Sequence, residues 1–228
     1  MQRPIARPVG MGVKELDTPA LVVDLGRLDT AGSAMDGTVR AAVWVHGTPA
    51  LARHQVADPR VAGIAVRSVA EAEVFAAAGF EDIRILRPLV TEQARRRAAA
   101  LAATARLVFE EDVPVWEDDA LAQAVSVSTR VTSVPEPGRA ITDCGQKAVG
   151  RDFGDPTVAG HPEWRAHAGS AEHGVVLFDP AERALEIGDW LRFVPADVAT
   201  VFALHDQAYA VRAGVLEAVW QVSGRGAF

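Results

Sequence analysis

Two rhythms of apolar and polar residues divide the chain. In the first half, short apolar runs recur at 20–24, 41–45, 61–66, 82–86 and 105–109, each of strand length. The stretches between them carry helix signals. Asp24 is placed to cap a helix over 28–40, which Gly32 and Gly37 weaken. Thr48 and Pro49 form an N-cap and first-turn pair for a helix through Gln55. Ser68 with Glu71 is a capping box for a helix to Ala78, stopped by Gly79. Thr91 opens an arginine- and alanine-rich helix through Ala103. Strands alternating with helices predict βα units on a parallel sheet. From residue 125 strands dominate, over 125–134, 139–143, 174–179, 191–195, 209–212 and 215–222, with turns at 135–138 and 212–214. Residues 150–169 read as a loop, and the half as a small barrel-like module.

The expected fold is therefore α/β plus all-β: a truncated parallel sheet of about four βα units, derived from a βα barrel, with a C-terminal β-barrel-like module. A complete eight-unit barrel needs ~250 residues by itself. The expected division is an arm over 1–16, where Pro4, Pro8, Gly10 and Gly12 oppose regular structure, a βα domain over 26–124, and a β module of 17–25 with 125–228.

Composition narrows the partners. Lys plus Arg is 23 against 30 Asp plus Glu, a net charge of −7 with no basic block, so nucleic acid is not expected. No apolar run reaches the ~18–20 residues of a membrane helix, so no membrane partner is expected. The opening residues 1–17 have no apolar core of a signal peptide, and the single cysteine, Cys144, suits a reducing compartment, so a cytoplasmic location is expected. Only two lysines are present, Lys14 and Lys147, which bounds any imine chemistry.

Several segments together carry a resemblance. Residues 17–25 (DTPALVVDL), 68–75 (SVAEAEVF), 138–148 (GRAITDCGQKA), 171–174 (AEHG), 188–195 (GDWLRFVP) and 219–225 (VWQVSGR) follow one another as in the D-threonine aldolase and D-serine dehydratase family. These are pyridoxal-phosphate enzymes of the alanine-racemase-like fold. The resemblance implies that residues 42–55 (AVWVHGTPALARHQ) correspond to the segment bearing the family's cofactor lysine, in a register set by Pro49, Leu51, Arg53 and Gln55. The lysine then falls on Trp44, while His46 keeps a family histidine. The family's metal ligands fall on Asp197 and Ala199, which leaves a lone carboxylate and a poor site. No glycine-rich phosphate loop of the family's kind is visible. The expectation is a chain without cofactor or metal.

The remaining chemistry gives the candidate residues. His46 follows a strand at the C-terminal edge of the sheet, where α/β active sites lie, and is the candidate general base. Arg67 and Arg87 follow strands at the same edge and suit an anionic substrate, with Trp44 as an apolar wall. Lys147 is the only plausible imine-forming lysine, beside Asp143, and otherwise structural. Glu172 and His173 match the family's "EHG" and are placed toward a cleft. His161, His167 and His173 recur every six residues, but Pro162 and Gly169 break any strand that would align them for zinc. His205 and Asp206 are read as strand neighbours pointing to opposite faces.

Two function classes stay open. One is a repurposed, cofactor-free lyase, isomerase or cyclase working on a small metabolite by acid/base chemistry. The other is a non-catalytic pseudoenzyme that binds a ligand or pairs with a partner. Pyridoxal-phosphate chemistry through Lys147 is the third. The open edges of a four-unit sheet lead to the expectation of a homodimer.

Overall fold

In the computed structural model, which describes residues 9–31, 37–117, 119–181 and 183–227, the chain divides into two units. One comprises the residues up to Ala31 with Ala120–Val219, and the other Gly32–Asp119 with the residues from Trp220 onward. The chain enters through β1 (Ala20–Asp24) and α1 (Leu25–Ala31), both in the first of these, the β unit. Asp24 Oδ1 accepts from the Arg27 amide at 3.2 Å, so the expected cap is present. The helix it opens is Leu25–Ala31 rather than 28–40; Val39 and Arg40 are strand, and residues 32–36 lie outside those described.

The βα unit contains β2 (Val39–Ala42), a 3-10 turn (Val43–Val45), α2 (Pro49–Val56), β3 (Val61–Val66), α3 (Val69–Ala77), β4 (Asp82–Ile85), α4 (Glu92–Leu101), β5 (Arg106–Val108) and β6 (Val115–Trp116). All strand pairs are parallel, in the order β5-β4-β3-β2-β6. The starts of α3 and α4 are fixed as the sequence signals require, whereas Thr48 makes no side-chain cap bond to α2 and its hydroxyl donates to His46 O instead. Ser68 Oγ accepts from Glu71 N at 3.1 Å while Glu71 Oε2 accepts from Ser68 N at 3.2 Å, and Thr91 Oγ1 accepts from Ala94 N at 3.1 Å. The strand expected over 41–45 starts two residues earlier and ends at Ala42, because the backbone then tightens into the 3-10 turn; Trp44 is thus in a turn. β6, two residues long and too short to show a pattern, was not expected.

The two faces of this sheet differ. Ala41, Ile64, Ile83 and Leu107 are register neighbours and pack on Ala52, Val69, Ala72, Phe75 and Ala98 of the helices. The alternate positions face away from the helices. They form one row of Arg40, Gly63, Asp82 and Arg106, and a second of Ala42, Ala65, Arg84 and Val108. Gly63 is required in the first row: a Cβ there would lie 2.8 Å from Asp82 O and overlap the Arg40 guanidinium. The C-terminal residues were expected in the β module but group with the βα unit. Gly224 N donates to Gly47 O at 2.7 Å, an approach so close that a Cβ on Gly224 would stand 2.9 Å from Gly47 Cα.

The β unit adds α5 (Asp119–Ala124), β7 (Val125–Glu136), β8 (Arg139–Thr142), α6 (Gln146–Val149), β9 (Thr157–Val158), β10 (Arg165–His167), β11 (Gly174–Leu177), β12 (Trp190–Val194), α7 (Val198–Leu204), β13 (Gln207–Arg212) and β14 (Val215–Gln221). Its sheet runs β10-β11-β8-β7-β1-β13-β14, with β12 bridging β7 and β9. The organiser is β7, twelve residues of alternating β-branched side chains. Its first half pairs with β1 and β12, and its second half, after irregular register at Val131–Ser133, pairs with β8. The expected loop over 150–169 contains β9 and β10. Of the expected arm, residues 9–16 are described, and they are bound to the β unit: Gly10 N and Val13 N donate to Leu216 O and Gly214 O, each at 2.8 Å, and Leu16 is buried. Parallel βα sheet and mixed β module agree with the expected fold class.

Candidate functional site

Trp44, His46, Arg67 and Arg87 all follow the C-terminal ends of strands in the βα unit. Trp44 is half-buried, and the Arg67 guanidinium lies over its ring, 5.0 Å from the centroid. Arg87 N donates to Arg67 O at 3.2 Å, so these two residues are backbone neighbours with exposed side chains. Arg87 also borders a cleft of about 220 Å³ with Ser68, Pro88, Thr91 and Arg97.

His46 does not join them. It is 1% exposed, its Nδ1 accepts from Thr48 N at 3.0 Å, and its Nε2 therefore carries the proton, donating to Gln55 Oε1 at 3.1 Å. Burial drives its pKa down to about 4, against the opposite pull of Gln55. The ring is neutral at pH 7 and binds the turn after β2 to α2. A general base needs a ring nitrogen turned to its substrate. The expected role for His46 is corrected to that of a core histidine, because Gln55 on α2 takes the proton-bearing edge.

In the β unit, three of the expected residues do share a site. Asp143, Lys147 and Glu172 line a half-open cleft of about 290 Å³, bounded also by Pro19, His205 and Asp206. Lys147 Nζ pairs with Glu172 Oε1, both side chains being largely exposed. Asp143 is committed inward. Its Oδ2 accepts from Thr18 Oγ1 at 2.5 Å, and its Oδ1 from Thr129 Oγ1 at 2.6 Å and from Arg130 N at 3.0 Å. His205, 6% exposed, donates from Nε2 to Ala148 O at 2.7 Å and so pins α6 to the end of α7. Sequence reading placed His205 and Asp206 on a strand; they instead stand between α7 and β13. The signal for their site role was only their residue types, since α7 was not anticipated. His173 is exposed, held to Ser170 through its amide at 3.0 Å, and is not among the cleft residues.

The other candidates disperse. His161 stacks on Trp164 with centroids 3.9 Å apart, while His167 sits in β10 opposite Val175. Among the described residues no three His, Cys, Asp or Glu side chains are grouped to hold a metal. Asp197 Oδ1 accepts from Thr200 N at 2.6 Å as the cap of α7. The Cys144 thiol is buried and pushed up by burial and by Asp143, the reverse of an activated nucleophile.

Pyridoxal phosphate is the group that the resemblance implies. Imine formation needs an amine. Position 44 offers an indole beneath a guanidinium, and Lys147 holds its ammonium against Glu172. A metal at Asp197 would have to displace the cap of α7. The residues present do not fit either group.

Comparison with known proteins gives a consistent picture. A family model described as a putative serine dehydratase domain matches residues 124–211. The chain is 39% identical over 107 residues to a D-threonine aldolase of Arthrobacter sp, a stretch covering 47% of this chain and 28% of that protein. It is 37% identical over 111 residues to a 3-hydroxy-D-aspartate aldolase of Paracoccus denitrificans, covering 49% and 27%. The match thus spans little more than a quarter of these relatives' length. Among solved structures, a D-threonine aldolase from Filomicrobium marinum aligns with a TM-score of 0.84 and 18% identity, over 97% of this chain and 99% of that one. An alanine racemase-like protein from Idiomarina loihiensis aligns with a TM-score of 0.74 and 16% identity, over 94% and 99%. At these identities the structural likeness speaks for the fold.

Proposed function

We propose that this chain, which over about half its length is similar to a D-threonine aldolase and a 3-hydroxy-D-aspartate aldolase, is a pyridoxal-phosphate-independent, non-catalytic relative of those enzymes that binds a small zwitterionic amino acid. One observation carries this reading: the position matching the family's cofactor lysine is Trp44, closed over by Arg67. The neutral, internally bonded His46 supports it, because it withdraws the candidate general base.

The ligand class follows from the β-unit cleft. A volume of about 290 Å³ suits a small metabolite. Its lining includes the ammonium of Lys147 and the carboxylates of Asp143, Glu172 and Asp206. A free amino acid carries the complementary pair, its carboxylate replacing Glu172 on Lys147 and its ammonium facing the acidic side. The relatives' names specify D-threonine and 3-hydroxy-D-aspartate, members of that class.

Titration calorimetry of the protein with D-threonine, 3-hydroxy-D-aspartate and glycine tests the binding. Affinity reduced at least tenfold in Lys147→Ala is expected, and equal binding by that variant removes the cleft from the reading. Separately, absorbance with added pyridoxal phosphate, before and after borohydride, is expected to show no reducible band. A band with the label on Lys147 would overturn cofactor independence. Trp44→Lys serves as the counter-test: a reducible band appearing there alone supports the register that places the family lysine at 44.

A further inference from the structure

A parallel sheet covered by helices on one face must also cover the other. In the βα unit that other face carries Arg40, Arg84 and Arg106 with one strand carboxylate, Asp82. What covers it is the stretch between β5 and β6. Glu111 takes Arg40 in a fork, Oε2 accepting from Nε and Oε1 from Nη2 at 3.2 Å, and Val113 O accepts from Arg84 Nη1 at 2.8 Å. Arg40 is 1% exposed beneath this cover, although Phe109, Glu110, Asp112 and Pro114 of the strip are themselves exposed.

The charges under the strip do not balance. Among the described residues, three guanidinium groups face two carboxylates, Asp82 and Glu111. Arg40 Nη1 lies 2.7 Å from Asp82 Oδ1 but makes no well-formed hydrogen bond, and Arg84 Nε is buried with no hydrogen-bond partner among the described residues. Arg106 binds Asp82 at 2.6 Å from the solvent side, with a side chain 64% exposed. Glu111 therefore sits where a carboxylate ligand would sit, in the bidentate geometry arginine offers such ligands. Arg40 holds the Glu111 carboxyl below its usual range through hydrogen bonding and charge.

We propose that Arg40, Arg84 and Arg106 form a binding site for a small oxyanion, a dicarboxylate or phosphate, whose internal occupant is Glu111, and that the ligand enters by replacing Glu111 as strip 109–114 lifts. The site lies in the βα unit and does not depend on the amino-acid reading of the β-unit cleft. Opening costs the Arg40–Glu111 pair, so wild-type affinity is weak and removing the internal carboxylate strengthens it.

The test uses the whole chain, with malonate and inorganic phosphate as separate probes at constant ionic strength held with chloride. Fluorescence of Trp116, in β6 at the end of the strip, is the readout, with other tryptophans controlled by Trp116→Phe. Glu111→Gln, which keeps size and removes charge, is expected to bind one probe at least tenfold more tightly than wild type. Arg106→Ala in the Glu111→Gln background is expected to lose most of that gain. Malonate alone, or phosphate alone, giving the gain identifies the ligand class. Equal, weak responses in wild type, Glu111→Gln and the double variant would overturn the site. If Glu111→Gln does not fold, hydrogen exchange on the wild type decides. Faster exchange of amides 109–114 with either probe supports the replacement, and unchanged or slower exchange refutes it.

Discussion

Acid should destabilise this protein through His46 in a window of its own. The folded ring is neutral because it is buried and because its Nδ1 accepts from Thr48 N at 3.0 Å, although Gln55, accepting from Nε2 at 3.1 Å, pulls the other way. Its pKa falls from the ordinary 6.5 to about 4. The sign follows from the lowered value. Above pH 6.5 neither state protonates, and the full stability is present. As pH falls from 6.5 toward 4, the unfolded chain takes up a proton that the folded chain refuses, and stability drains away. At about 1.4 kcal/mol for each pH unit, the loss across the window is about 3 kcal/mol, a large share of a typical domain's ~5–15 kcal/mol. Glu111 acts later, because its held-down carboxylate loses stability only as pH falls below its ordinary 4.5. Urea unfolding followed by circular dichroism at pH 7.5, 6.5, 5.5 and 4.5, in wild type and His46→Leu, separates the two. The variant is less stable at pH 7.5, since Thr48 N and Gln55 lose their partner. Its disadvantage should shrink by about 2.5 kcal/mol by pH 4.5. A wild-type-minus-variant difference that stays flat across this range refutes the neutral, locked histidine and restores a titrating ring at position 46.

Other consequences are equally direct. Gly63→Ala places a methyl against Arg40 and 2.8 Å from Asp82 O, so it should cost ~1–3 kcal/mol as overpacking, seen as a lowered urea midpoint. Asp197→Ala removes the cap of α7 and should cost ~0.5–2 kcal/mol, with no change in any response to added divalent metal; a metal-dependent change in melting temperature present only in wild type contradicts the cap reading. Asp143→Asn weakens the bonds from Thr18, Thr129 and Arg130 that tie the entry of β1 to β7; destabilisation of ~1–3 kcal/mol by urea unfolding is expected, and an unchanged midpoint contradicts that structural role.

Local signals were enough for much of this molecule. Apolar runs bounded by glycine or caps placed β1 and β3 to the residue, and Ser68 with Glu71 located the start of α3, because capping chemistry is completed within four residues. The change of rhythm near residue 125 announced the β unit for the same reason: β7 writes its alternation in one continuous segment. The motif around residues 42–55 was likewise enough to see that an indole stands at position 44.

What each side chain faces was decided elsewhere. His46 read as a base at a strand end, and only the return of α2 brings Gln55 onto its Nε2. Asp197 read as a remnant ligand, and only the folding of α7 makes it a cap. Lys147, Glu172 and Asp206 meet because β8, β11 and β13 bring three distant segments to one cleft. The charged row under Glu111 depends on the registers of β2 through β5 and on a chain that crosses to the opposite edge of the sheet. Secondary structure and caps depend on neighbours within a few residues, so the sequence determined them. Burial, proton placement and the sharing of charges depend on residues tens to hundreds of positions apart, and only the tertiary structure decides those.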